Sequence, residues 1–475
     1  MLGSLDGPAM ASNDETRIEK DTMGEMRVPL RAYYAAQTQR AVENFPISGQ
    51  PLPATFIHAL GLVKLACART NLRLGRLDAK KAEAIEEAAQ EVIDGKLDAH
   101  FPIDVFQTGS GTSSNMNANE VIANRASEIL GGSIGDHVVH PNDDVNMGQS
   151  SNDIIPTTLH VAAVLEIENE LIPALRDLHM ALSAKATAFD DVIKTGRTHL
   201  MDATPIRLGQ EFGGYARQIA LGMARVESTL EGLRELAQGG TAVGTGLNAH
   251  PDFGALVAEE IARITGTRFV EAADHFEAQG AQDAYAFTAG ALNTLAASLM
   301  KMANDIRLMG SGPQGGLAEL RLPAIQPGSS IMPGKVNPVI CESVIQVGAQ
   351  VTGNCHAIVM GAQWGQLDLN TMLPMMARNM LESIKLLANV SRAFKTKLLD
   401  GLEANVEVAE SYVEKSISMA TALNPLIGYE KAAEIAKASY KTGRTVRELA
   451  YEMSGLSKAQ VDEALEPRKQ TSPHA

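Results

Sequence analysis

Residues 154–190, IIPTTLHVAAVLEIENELIPALRDLHMALSAKATAFD, carry the reading that decides the fold class. Apolar positions recur at helical spacing through the whole run, so it predicts one long helix, bent at Pro173. At 1.5 Å per residue such a rod spans roughly 55 Å. A chain that builds one rod of this length needs others to pack against it, and they follow. Residues 205–238 and 275–308 form two more helical runs, and residues 338–360 and 373–403 another two. Residues 52–94 show the same pattern nearer the start.

Almost no segment alternates polar and apolar residues at the period of a strand. Aromatic residues are only 4% of the 475, and Ala, Leu and Met fill the helices instead. Small residues permit close helix approach, and Met fills irregular gaps. The expected fold is therefore all-α, centred on a bundle of long helices. We expect a mixed, mainly helical region over 1–147, the central bundle over 148–406 and a small helical domain over 407–475. The first 15 or so residues read as disordered, and the terminal RKQTSPHA as a frayed end.

Composition excludes several classes of function. A net charge of −15 argues against nucleic acid or an anionic membrane as a general partner. The apolar run 284–300 carries Thr288, Asn293 and Thr294 and reads as a buried helix, not a membrane span. The three cysteines, Cys67, Cys341 and Cys355, form no C-x-x-C pair, so neither a zinc site nor an iron–sulfur cluster has ligands and no metal or cofactor is expected. Sparse cysteine and a polar, acidic N-terminus without signal or transit character point to the cytoplasm.

Four stretches dense in hydroxyl, amide and glycine punctuate the helices. They are 109–119 (GSGTSSNMNAN), 140–153 (HPNDDVNMGQSSND), 196–205 (GRTHLMDATP) and 327–338 (PGSSIMPGKVNP). Any one alone reads as caps and turns. The last is not a phosphate loop: five residues separate Gly328 from Gly334, and Val336 stands where Ser or Thr should be. The GTG of 244–246 lacks the glycine spacing of a dinucleotide fingerprint and reads as a turn.

GSSIMPGKVNP closely resembles the signature of the fumarase/aspartase superfamily, and the other three stretches resemble its remaining active-site segments in order and spacing. The resemblance extends from about Arg17 to the C-terminal domain. His199 in GRTHL, Ser151 in GQSSND and Gly334 in PGK resemble class II fumarase, where aspartases typically carry Gln, Thr and Ala. The implied activity is reversible anti addition of water to fumarate, giving (S)-malate through an aci-carboxylate, a step of the tricarboxylic acid cycle. Aspartate ammonia-lyase on the same fold is the alternative, and a non-catalytic protein on that fold is a third reading. The retention of Ser329, His199, Lys335 and Glu342 together argues against the third.

The resemblance assigns the carbon base to Ser329, with Ser330 beside it as a turn or cap residue. Serine is too weak an acid unless its alkoxide is held by N–H groups and a cation, which the turn at 328–331 and Lys335 would supply. His199, a residue type that titrates near neutrality, is implied as the water-activating base on the opposite face, paired with Glu342. Ser110, Thr112, Asn115, Ser150, Ser151, Asn152, Thr198, Lys335 and Asn337 are the implied substrate-binding set, donors around a dicarboxylate. His140, Asn142 and Asp143 match a second dicarboxylate site near the entrance. Two departures stand beside these residues: Gln314 where an Arg is common, and Met147-Gly148 in place of a more polar pair.

The rod of 154–190 separates 150–152 from 198–199. A small dicarboxylate cannot bridge that length, so the chain either folds back or shares its sites. The family's solution is a homotetramer with a 20-helix core and each site built from three chains.

Overall fold

The computed structural model describes residues 15–473, so the expectation for the first residues falls largely outside it. Seventeen α-helices and a few short strands make up the described chain, and the fold is all-α as the helical periodicity predicts. The helices divide among two compact units. One comprises the described residues to Asn169, Val226–Leu292 and Gly353–Lys385; the other comprises Glu170–Arg225, Asn293–Thr352 and the described residues from Leu386.

The first unit is built on the helices Ala54–Arg73 and Ala79–Ile93. The second of these starts because Asp78 accepts from the N–H groups of Lys80 and Lys81, satisfying donors that a helix start leaves orphaned. Ala82, Ile85, Ala88, Ala89 and Val92 make its buried stripe. Gly61 lies against it so closely that a Cβ there would sit 2.9 Å from Val92 Cγ1. Small residues set the spacing in the second unit too, where Gly348 faces the Met300 side chain. The long rods run Leu208–Leu233, Asp283–Met309, Val339–Ala362 and Leu373–Ala393.

The run read as one bent helix is helical with an interruption. The helices Ser151–Glu166 and Ile172–Ala188 flank a π-turn over Ile167–Leu171. Pro173 has no N–H to give to the preceding turn, and the wider turn just before it accommodates that loss. Pro156 lies inside the earlier helix, where it lacks the N–H that would reach the carbonyl of Asn152.

Two departures from the helical reading concern strands. Thr16–Asp21 pairs antiparallel with Gly24–Pro29, and Ile193–Thr198 with Met201–Arg207. The second hairpin contains the stretch 196–205, which reads as an interhelical loop in the sequence. Its residues are too few, and too often Thr, Gly and Asp, to show the alternation of a strand. The C-terminal end is also more ordered than a frayed tail: Pro467–Thr471 forms a 3-10 turn, and Thr471 O accepts from Gln210 Nε2 at 2.9 Å. Val413, Leu423, Ile435, Leu449, Val461 and Leu465 form a separate apolar cluster within the second unit. No described helix is long and apolar enough to cross a membrane.

Candidate functional site

The candidate residues fall into two groups, one in each unit. In the first unit, Gly109 O accepts from Leu373 N at 2.9 Å, and a Cβ on Gly109 would lie 1.8 Å from Thr371 O. Glycine is therefore required for this close approach. Gly111 takes φ +73 and starts the helix Thr112–Ile129, so residues 112–119 are helical, not loop. Ser110 Oγ and Thr112 Oγ1 share a hydrogen bond of 2.8 Å.

Asn115, buried along that helix, donates from Nδ2 to Ser151 Oγ at 3.0 Å. Ser150 caps the helix beginning at Ser151: its Oγ accepts from Asn152 N at 3.2 Å, while its N–H donates to Asp153 Oδ1 at 2.9 Å. Asn152 Nδ2 donates to Ala242 O at 2.8 Å. Ser110, Thr112, Asn115, Ser150, Ser151 and Asn152 thus come together around two helix N-termini, which favour an anion.

His140, Asn142 and Asp143 also share one small structure. His140 Nδ1 accepts from Asn142 N at 3.3 Å and Asp143 N at 3.1 Å, capping the turn Pro141–Val145. A ring nitrogen that accepts from two N–H groups carries no proton, so its 3.3 Å approach to Asp143 Oδ2 is not an ion pair. Of the departures noted in the sequence, Gly148 takes φ +70 and Met147 O accepts from Asn71 Nδ2 at 3.0 Å, which ties the turn to the helix Ala54–Arg73. Nothing in the structure explains Gln314.

In the second unit, Thr198 ends one strand and Met201 begins the next, leaving His199-Leu200 as a two-residue turn. Their φ values are +56 and +61. That pair of signs defines a type I′ turn, for which Asn-Gly is the usual choice. Histidine tolerates the left-handed region better than most residues, whereas leucine is strained there. Both are exposed in the single chain, Leu200 by 73%.

The hairpin below is held rigidly. Arg197 Nη1 donates to both oxygens of the fully buried Glu319 at 2.9 and 3.0 Å, and Lys194 lies 3.3 Å from the same carboxylate. A strained turn on a clamped hairpin is a recurrent feature of functional sites.

The stretch 327–338 folds back on itself. Gly328 N donates to Lys335 O at 2.9 Å, and Asn337 Nδ2 donates to Gly328 O at 2.7 Å. Within this closed turn Ser329 Oγ accepts from Ile331 N at 3.2 Å and Met332 N at 3.0 Å. Ser329 and Lys335 line one cavity of about 450 Å³. Lys335 and Asn337 also line a neighbouring one with Arg307, Arg321 and Asn405. Glu342 is partly buried in the first turn of the helix Val339–Ala362. Among the described residues no contact joins Glu342 to His199.

Sequence reasoning missed Asp153, Asn146, Gln149 and Lys64. Asp153, fully buried, accepts from Gln238 Nε2, Gly239 N and Thr241 N, and burial pushes its carboxyl up to about 6. Its signal was the S-x-x-D spacing of a capping box. The signal for Lys64 was a lone charge inside the apolar run LGLVKLACA, residues 60–68. The three cysteines are buried and free, and among the described residues no three His, Cys, Asp or Glu side chains converge as metal ligands would.

Comparison with known proteins places this arrangement. A family model described as Lyase matches residues 24–353, and one described as Fumarase C C-terminus matches residues 419–472. The chain is 57% identical over 443 residues to a fumarate hydratase class II of Corynebacterium efficiens, covering 93% of this chain and 92% of the relative. It is 58% identical over 439 residues to one of Mycobacterium tuberculosis, covering 92% and 91%. Among solved structures, a class II fumarase from Schistosoma mansoni superposes with a TM-score of 0.95 at 39% identity, over 97% of this chain and 100% of that one. A fumarate lyase:delta crystallin from Brucella melitensis gives 0.93 at 46%, over 97% and 100%. Matched along nearly its whole length by such relatives and by the lyase model, the chain belongs to the class II fumarate hydratase family.

Proposed function

We propose that this lyase catalyses the reversible anti addition of water to fumarate to give (S)-malate, small dicarboxylates being its substrates. The observation that carries the reading is the pair of backbone N–H groups on Ser329 Oγ. Two donors aimed at one hydroxyl oxygen lower the cost of the alkoxide, and Lys335 beside the same cavity adds positive charge.

In the malate direction Ser329 removes the proton from the carbon beside a carboxylate. The electron pair moves into that carboxylate, giving the aci form. The C–OH bond on the adjacent carbon then breaks, and His199 delivers the proton that turns the departing hydroxide into water. Hydration is the reverse: His199, oriented by Glu342, takes a proton from water as its oxygen attacks, and the Ser329 hydroxyl protonates the carbanion on the other face. Ser110, Thr112, Asn115, Ser150, Ser151, Asn152, Thr198, Lys335 and Asn337 hold the two carboxylates. His140, Asn142 and Asp143 form an entrance site for a second dicarboxylate.

The same reading makes the enzyme a cytoplasmic homotetramer, each site drawing on three chains. Its support here is the exposure of large apolar side chains beside the candidate residues: Leu200 and Met201 at the hairpin tip, Ile331 and Met332 in the signature turn. Exposed apolar patches next to a site mark an interface. The division into 1–147, 148–406 and 407–475 belongs to this reading as well.

The test is the absorbance of the fumarate double bond. Malate should generate it and aspartate should not; turnover of aspartate alone would overturn the assignment in favour of ammonia release.

A further inference from the structure

Lys64 is fully buried, yet among the described residues its ammonium forms no ion pair. Its Nζ donates to Asn146 Oδ1 at 3.0 Å and to Gln149 Oε1 at 2.9 Å. Its nearest carboxylate influence, Asp153, is already engaged by three N–H groups and the Gln238 amide. Burial draws the lysine down to about 7, the cost of a buried charge with no ion-pair partner among the described residues. A buried charge is ordinarily paired.

What lies next to it shows where the pairing would come from. Asn146 Oδ1 also receives Asn119 Nδ2 at 3.2 Å and Asn115 Nδ2 at 3.3 Å, so three donors converge on one oxygen. In its ammonium form Lys64 has donors and no acceptor, so it dictates that Asn146 present its oxygen. Asn146 Nδ2 then turns to Gln149 O at 3.2 Å. Facing that oxygen, Asn115 must present its Nδ2, which it shares with Ser151 Oγ at 3.0 Å. The Ser151 oxygen is therefore an acceptor toward the protein. Its own proton has no acceptor among the described residues, which leaves it available to a ligand.

We propose that Lys64 is a positioning residue, whose ammonium sets the donor direction of the Asn146–Asn115–Ser151 chain so that Ser151 donates its hydroxyl proton to a substrate carboxylate. The cation also supplies part of that carboxylate's countercharge from behind the cradle, in a protein whose overall charge is −15. The inference rests on the reading of Ser151 as a substrate-binding residue.

The experiment is a double-mutant cycle on the full-length enzyme with K64M, S151A and the pair, followed by fumarate hydration. Lys64→Met should raise KM at least tenfold while kcat falls less than threefold. Because both changes remove the same donated proton, KM of the pair should stay well below the product of the two single effects. A folded K64M enzyme with KM within twofold of the parent overturns the inference, as does simple multiplication of the two effects. Lys64→Gln is one atom shorter and uncharged but keeps an N–H donor, and should fall between the parent and K64M. If neither variant folds, Lys64 is a structural cation and the inference is lost. If S151A leaves KM unchanged, the failure lies instead with the reading of the site.

Discussion

Leucine at the second position of a type I′ turn is a cost that something must offset, and Leu200→Gly tests what does. The left-handed conformation, φ +61 here, costs a non-glycine residue about 1–2 kcal/mol. Glycine removes that strain but has more freedom to lose on folding, which takes back about 0.4–1 kcal/mol. Within one chain the Leu200 side chain is 73% exposed, so its loss removes little packing. An isolated subunit should then be unchanged or more stable by about 1 kcal/mol after the substitution. If instead the tip enters a neighbouring subunit, each copy forfeits the burial of a leucine, about 1.5–3 kcal/mol. Summed over four copies, roughly 6–12 kcal/mol would leave the assembly free energy. We expect the second outcome. Sedimentation velocity over falling protein concentrations should show L200G dissociating where the parent remains tetrameric, with specific activity falling in step. A variant that stays assembled with an unchanged or raised melting temperature would refute the reasoning, and so would a fully active monomeric parent.

Three further outcomes are expected. Ser329→Ala should lower kcat by at least about 10²–10⁴-fold, the worth of a positioned proton-transfer group, with unchanged sedimentation and circular dichroism; full activity would remove Ser329 from its role. His160 is buried, bonds through Nδ1 to Glu235 O at 2.8 Å and stacks on Tyr285, and burial lowers it from 6.5 to about 4. The folded form therefore binds this proton less readily than the unfolded one. The stability the neutral ring provides is present above 6.5 and is lost as pH falls toward 4, by about 3 kcal/mol. Chemical unfolding of H160N should show that much less acid sensitivity than the parent, and parallel pH profiles would count against it. Gly109→Ala places a Cβ 1.8 Å from Thr371 O, so the backbone must move; a loss of about 1–3 kcal/mol should appear by calorimetry.

The candidate site was legible as chemistry before it was legible as geometry. Hydroxyl, amide and glycine stretches mark where donors accumulate, and in the structure residues 110–115 lie beside 150–152. The turn at 328–337 likewise delivers N–H groups to Ser329. The hairpin under His199 was not legible, because six- and seven-residue strands of Thr, Gly, Arg and Asp leave no periodic trace. Lys64 escaped for a different reason. A lone lysine in an apolar run marks an unusual position but not its partners, and those, Asn146 and Gln149, lie more than 80 residues away.

The sequence by itself determined the helical class, since the spacing of apolar residues dictates which faces must be buried. It also pointed to the type of chemistry, through the resemblance of its four polar stretches, above all GSSIMPGKVNP, to the fumarase/aspartase superfamily. The tertiary structure alone decided the backbone sign at His199 and Leu200, the two amides on Ser329, and the direction of the chain from Lys64 to Ser151. Those depend on which groups face one another after folding, and hydrogen bonds acquire a direction only from the partner they meet.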